Sequence, residues 1–242
     1  MPAARSIIIV EGKPAPSAPY HTLAKALRRL GHPVRVVPVG TLGRGEWRRE
    51  LRSAQAIVLL HYQSIDRYLL SQLAIAVVQN VPVIRWWVGT DVFNVLTRDD
   101  VRRSAKRFDR IVSANVAVAP HLVEELASAG IRARYVPSVL DPDLDAPSVV
   151  AWEHSPRPML VYLPDSRKEF YGLPVVEQMI EANRDLRFVI LADQTHALAA
   201  HPNVESLGWV TDMSELYDRA GCVLRITEHD GLPRMLMEGV LR

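Results

Sequence analysis

The sequence predicts an α/β protein made of two tandem, doubly wound parallel sheets. Short apolar runs alternate with helix-length segments along the whole chain, and the alternation is repeated on either side of a Pro/Asp-rich stretch. No run approaches the roughly 20 apolar residues of a bilayer-spanning helix. Strands buried on both faces read as continuous apolar runs, and this is the form they take here.

In the first half, residues 7–10 read as a short buried strand, and a helix over 20–30 closes at Gly31, a residue suited to a helix C-terminus. A strand at 34–39, a polar helix around 47–53 and a strand at 56–60 follow. A long apolar-faced helix over 65–79 leads to a strand at 83–88, and segments 99–107, 110–113, 119–129 and 133–136 continue the alternation. The second half runs strand 159–163, helix 173–182, strand 187–191, a short helix near Ala197, a strand at Val204, a helix at 213–220, a strand at 222–226 and a last helix entered at Pro233.

With 242 residues and 48% hydrophobic side chains the chain buries a real core. Its single cysteine, Cys222, excludes an intramolecular disulfide framework and a cysteine-based metal site, and fits a reducing compartment. One early arginine and a four-residue apolar run at the N-terminus make a strand rather than a signal peptide. The net charge of +2 hides an asymmetry: residues 1–140 hold 20 Lys+Arg against 10 Asp+Glu, and residues 141–242 hold 9 against 17. The change falls at a Pro/Asp stretch from Leu140 to Pro147. The expected organisation is therefore an N-terminal domain 1–140, a linker 141–156 and a C-terminal domain 157–242. Two readings of the charge stay open: surfaces of opposite sign that associate, or a basic half that faces anionic lipid or an anionic acceptor.

In doubly wound sheets ligands bind beyond the carboxyl ends of the strands. That directs attention to His61, Gly89-Thr90-Asp91, residues 165–168 and residues 230–233. The loop after the first strand, Glu11-Gly12-Lys13-Pro14-Ala15-Pro16-Ser17, has one glycine and two prolines, which disfavours a dinucleotide oxidoreductase. Walker A, G-x-S-x-G and H-E-x-x-H patterns are absent, and no nucleic-acid-binding module is recognisable.

The most informative segment is Asp230-Gly231-Leu232-Pro233-Arg234-Met235-Leu236-Met237-Glu238. An apolar strand, a polar turn and a proline-opened helix aim free amides and a positive dipole end at an anion, while Asp230 and Glu238 accept hydrogen bonds from ligand hydroxyls.

Together with Pro120-His121-Leu122-Val123-Glu124-Glu125-Leu126, Tyr135-Val136-Pro137-Ser138, Leu207-Gly208-Trp209-Val210 and Met213-Ser214-Glu215-Leu216-Tyr217, this box resembles glycosyltransferase family 4, the retaining enzymes of the GT-B fold. The likeness covers most of the chain and is strongest over residues 203–239. The family's E-x(7)-E box stands here as Asp230-x(7)-Glu238. The resemblance implies two Rossmann-like domains, with Asp230 and the amides near Gly231 and Leu232 on the sugar of a nucleotide-diphospho-sugar, Pro233 among the donor-binding residues and Glu238 on the ribose. It implies that Arg167 and Lys168 hold the diphosphate, without cofactor or metal. The sequence departs from the pattern in three places: Asp for the first Glu, Leu163-Pro164 for a Gly-Arg pair, and a proline-rich first loop.

Asp91 stands where a strand should end at the interdomain cleft. The resemblance makes it the candidate that orients or deprotonates the acceptor hydroxyl; capping of the following helical turn is the alternative. Trp86 and Trp87 should pack on opposite faces of their strand, and Glu228 and His229 either reach the sugar or sit in a solvated loop. Only four residues follow Glu238, so the second domain is expected to be incomplete and the transferase activity weak or absent. The expected partners are a nucleotide-sugar donor, a glycan or lipid-linked acceptor and an anionic membrane at the basic half, in the cytoplasm and peripheral at the membrane. A sugar-nucleotide 2-epimerase of the same fold and an inactive binding or scaffold protein are the alternatives.

Overall fold

The computed structural model describes residues 5–11, 19–38, 40–60, 67–140 and 157–241. Two units divide the chain, Met1–Asp143 and Leu144–Arg242. The expected linker 141–156, the loop after the first strand and His61 lie outside the described residues.

The first unit holds a six-stranded parallel sheet in the order β2-β1-β3-β4-β5-β6. Its elements are β1 (Ser6–Glu11), α1 (Pro19–Arg29), β2 (Val34–Pro38), α2 (Arg44–Arg52), β3 (Ala54–Leu60), α3 (Arg67–Val78), β4 (Val83–Trp87), α4 (Thr90–Thr97), α5 (Asp99–Asp109), β5 (Ala114–Ala117), α6 (Pro120–Ser128) and β6 (Arg134–Tyr135). Ile8 and Ile9 show why the first run is apolar throughout. Ile8 points into a cluster with Trp47, Leu51, Leu73 and Phe108, and Ile9 into one with Tyr20, Leu23 and Ala24 on the other face. Gly31, at φ 84°, lets the chain leave α1 with its amide on the Arg28 carbonyl and that of His32 on Leu27.

The expectations at 99–113 need correction. Helix α5 continues to Asp109, and the amides of Arg110, Ile111 and Val112 close a turn onto the carbonyls of Arg107, Phe108 and Asp109, while that of Ser113 donates to the Val83 carbonyl. Ile111 and Val112 are apolar because they pack on the core from that turn, and the strand starts only at Ala114.

The second unit has a four-stranded parallel sheet in the order β10-β7-β8-β9. It contains β7 (Met159–Tyr162), α7 (Leu173–Ala182), β8 (Phe188–Leu191), β9 (Val204–Ser206), α8 (Ser214–Arg219), β10 (Cys222–Leu224) and α9 (Arg234–Val240). Val161, Phe188, Ile190, Val176 and Ile180 form one core layer, and Leu160, Val189, Leu216 and Tyr217 the other. The short helix expected near Ala197 is a turn instead. Ala192 and His196 both have positive φ, and the Ala197 amide is taken by the Asp193 carboxylate. Pro233 stands one position before α9, not inside it.

Candidate functional site

In the second sheet the chain leaves β7 toward β8 on one side, while β10 pairs with β7 on the other, which makes the carboxyl ends of β7 and β10 the switch point. Arg225 follows β10 directly and Tyr162 ends β7. The Arg225 guanidinium lies 4.7 Å from the Tyr162 ring and 5.1 Å from that of Tyr171, and its Nε–H donates to Asp230 Oδ2 at 2.5 Å. Among the described residues neither Nη of Arg225 has a hydrogen-bond partner. Burial, followed by the neighbouring Tyr171, pushes the Tyr162 hydroxyl above its ordinary pKa.

An aromatic row runs back from this point. Tyr162 and Tyr171 meet edge to face at 5.5 Å, Tyr171 and Phe170 at 5.4 Å, and the Arg167 guanidinium stacks 4.1 Å from the Phe170 ring. Two arginines are thus mounted on one aromatic cluster. Arg167 has φ 142°, a conformation that strongly favours glycine, so the turn after β7 holds it under backbone strain.

Lys168 is differently placed. Its Nζ donates to Asp193 Oδ1 at 2.8 Å and to Thr195 Oγ1 at 2.6 Å, and lies 3.0 Å from Asp165 Oδ1. Three acceptors match the three N–H bonds of an ammonium. Asp193 is fully buried and also accepts from Ser206 Oγ at 2.6 Å, while Asp165 takes the amide of Gln194 at 2.8 Å. Burial raises the Asp193 pKa, but the bonds from Lys168 and Ser206 outweigh it and the net direction is down. Bonds from Thr195 and Lys168 hold Asp165 well below the usual carboxylate range. Burial depresses the Lys168 ammonium, and Asp193 and Asp165 overcome this to raise it. The network ties the turns after β7 and β8 to the end of β9.

The acidic box closes over the same edge. Glu228 donates its amide to the Phe170 carbonyl at 3.0 Å, and Gly172, at φ 73°, lies so close to Ile226 that an added Cβ would sit 2.4 Å from its Cγ2. Only glycine allows that approach. Asp230 Oδ1 accepts from the Gly231 amide at 2.9 Å; the Leu232 amide has no partner among the described residues, and Pro233 leads into α9. Glu238 is buried on α9, accepting from the Tyr217 hydroxyl at 3.0 Å and from Arg234 Nη2 at 2.9 Å. Burial and then the Glu238 charge push the Tyr217 hydroxyl above its usual range.

Asp91, in the first unit, is 3% exposed. Its Oδ1 accepts from the amides of Val88, Gly89 and Val92 at 3.1, 2.9 and 3.0 Å. The carboxylate builds the turn from β4 into α4. Nearby, Trp86 packs on the α1 side of the sheet and Trp87 is fully buried, its indole N–H on Asn115 Oδ1 at 3.1 Å.

The second unit therefore brings Arg167, Lys168, Asp230, Gly231, Leu232, Pro233 and Glu238 onto the turns and the helix around one sheet edge. Arg225, Tyr162 and the buried Asp193 are what the sequence reasoning passed over. The available signal was position: Arg225 is a charged residue immediately after an apolar strand, at the end where ligands bind.

No family model and no curated protein matches the chain. Solved structures do. Anabaena Alr3699/HepE, in complex with UDP and glucose, matches with a TM-score of 0.69 over 98% of this chain and 78% of its own, at 13% identity. A putative UDP-N-acetylglucosamine 2-epimerase from Listeria monocytogenes matches at 0.52 over 91% and 74%, at 8% identity. A mutant of S. aureus TarM in complex with Fondaparinux, alpha-GlcNAc-glycerol and UDP matches at 0.54 over 76% and 39%, at 9% identity. At such identities the likeness establishes the fold: parallel-sheet α/β units of the Rossmann-like, GT-B kind.

Proposed function

We propose that this protein is a glycosyltransferase that moves a sugar from a nucleotide-diphosphate-sugar donor to an acceptor hydroxyl with retention and without a metal ion. The observation that carries the reading is the Arg225–Asp230 pair at the switch point of the second sheet, backed by Tyr162 and Tyr171. Structures of the same fold hold UDP and UDP-glucose.

In this reading the unpaired Nη groups of Arg225, with Arg167, meet the diphosphate, whose charge grows as the bond from the anomeric carbon to its oxygen breaks. Asp230 accepts hydrogen bonds from sugar hydroxyls, and the Leu232 amide donates one. Glu238 binds the ribose, oriented by Tyr217. Lys168 positions the turn that carries Arg167, since contacting a phosphate would strip a bond from buried Asp193. The acceptor oxygen bonds to the anomeric carbon on the face the diphosphate leaves, and a departing phosphate oxygen takes its proton. Asp91 then serves as the turn-builder of β4 and α4. The acceptor is a glycan or lipid-linked hydroxyl.

The test is incubation with a panel of nucleotide-diphosphate sugars. Transfer, or slow donor hydrolysis, supports the proposal. Epimer formation would favour the 2-epimerase reading instead, which the Listeria structure's fold keeps in view. No nucleoside-diphosphate binding by calorimetry would overturn both.

A further inference from the structure

The first sheet has a switch point of its own. From β1 the chain crosses to β2 on one side, and β3 pairs with β1 on the other, which puts the ligand crevice at the carboxyl ends of β1 and β3. Glu11 is the last residue of β1. Register sets what stands beside it. Glu11 pairs with Pro38 of β2, Leu60 stands one step past the Val10–Leu59 pair, and Leu60 pairs with Trp86 of β4. Side chains alternate along a strand, so Glu11 shares the face of Ile9, where Tyr20, Leu60 and Trp86 pack together. The last row of that face reads Glu11, Leu60, Trp86 across three neighbouring strands.

Glu11 is 7% exposed, and Tyr20 on α1 donates its hydroxyl to Oε1. Among the described residues Oε2 has no partner and no cation pairs with the carboxylate. A carboxylate offers about four acceptor positions, and leaving a buried one short of donors is costly. A ligand at the switch point completes the set only if it brings hydrogen-bond donors. Hydroxyls do, whereas a phosphate or carboxylate meets a like charge that no described cation offsets. Trp86, two strands and therefore about 10 Å away across the sheet, is only partly buried, and its indole N–H has no acceptor among the described residues. An acceptor of hydroxyl donors and an indole at that span suit an uncharged sugar ring, which has O–H groups at its edge and C–H groups on its faces.

We infer that Glu11 is a specificity-determining residue of the acceptor site, which takes an uncharged sugar between Glu11 and Trp86. The inference rests on the glycosyltransferase reading and narrows its acceptor from any hydroxyl to that of a neutral sugar. A Glu11–Tyr20 bond that only ties α1 to the end of β1 predicts no effect on ligands.

The test is saturation-transfer NMR of the full chain, titrated with neutral methyl hexosides (glucoside, galactoside and mannoside) and with glucuronate and galacturonate as charged counterparts. At least one neutral hexoside should bind, and the uronates about tenfold more weakly. Glu11→Gln keeps an oxygen for the Tyr20 hydroxyl, so the melting temperature should hold while affinity for the neutral sugar drops about fivefold or more. Trp86→Phe should weaken the same binding. Absence of sugar binding, uronates bound as tightly as hexosides, or binding that a folded Glu11→Gln variant leaves unchanged, as capture at Asp230 would, overturns the inference. Calorimetry of the wild type with uridine diphosphate separates the two readings. Nucleotide binding without sugar binding removes this acceptor site alone, and sugar binding without nucleotide binding removes the glycosyltransferase reading and with it the role of acceptor.

Discussion

Arg225 and Asp230 form an ion pair, Nε to Oδ2 at 2.5 Å, that bridges the end of β10 and the loop into α9. The pair fixes the guanidinium against Tyr162, and neither Nη has a hydrogen-bond partner among the described residues. Each residue therefore needs the other. Arg225→Ala and Asp230→Asn should each weaken nucleoside-diphosphate or donor binding about tenfold or more, and a double-mutant cycle measured by calorimetry should show coupling above about 1 kcal/mol. Arg225→Lys should not restore binding, because a lysine neither stacks as a plane nor presents a fork. Additive losses would dissolve the pair as a functional unit.

The Lys168 network sets a pH dependence. Asp193 and Asp165 have folded pKa values below their unfolded ones, so their contribution is present above the unfolded value of about 3.9 and is lost as pH falls through the folded values. The melting temperature should fall steeply below about pH 4. Asp193→Asn should flatten that dependence and cost about 3 kcal/mol at neutral pH, since it leaves Lys168 short of a buried partner. Denaturant titration across pH measures both.

For Glu238 the expected effect is on binding. Glu238→Gln keeps an acceptor for the Tyr217 hydroxyl and preserves the fold, while nucleotide affinity should drop about fivefold or more by calorimetry. Tyr217→Phe should cause a smaller loss of the same kind, because it only orients the carboxylate.

Asp91 separates turn-building from proton transfer. Asp91→Asn retains one oxygen for the amides of Val88, Gly89 and Val92 and should keep most of the activity, whereas Asp91→Ala should destabilise the first unit by about 2 kcal/mol. Loss of turnover in a stable Asn variant would instead make Asp91 a base.

Arg85 in the first unit is fully buried, its donors on Asn115, Asp109 and the Ala105 carbonyl, its plane over Trp87 and Phe108. Burial lowers its pKa to about 10, against the pull of Asp109 and Asp91. It stays charged at neutral pH, and Arg85→Ala empties the space over Trp87 and Phe108 and takes a donor from the Ala105 carbonyl, which should cost about 3 kcal/mol in thermal or denaturant unfolding.

Much of this architecture is legible in the sequence, because strand burial on both faces demands apolar runs and helix packing demands periodic ones. Helix α7 and strand β7 lie where their patterns predict. The legibility fails where an apolar residue packs from a turn, as at Ile111 and Val112, or where a side chain captures an amide, as Asp193 does at Ala197. Pattern reports burial without reporting backbone direction.

The acidic residues of the Asp230–Glu238 box, the proline before the helix and the charge difference between the halves are fixed by the sequence alone, because they are matters of composition and spacing. Which cations are enclosed by protein partners was decided only by the tertiary structure. Arg167 and Lys168 are neighbours in the chain, yet one stacks on Phe170 and the other is enclosed by Asp165, Asp193 and Thr195. Arg225 meets Tyr162 because β10 pairs beside β7. Charge is a property of a residue, but the availability of that charge depends on partners that only the folded chain brings within hydrogen-bond distance.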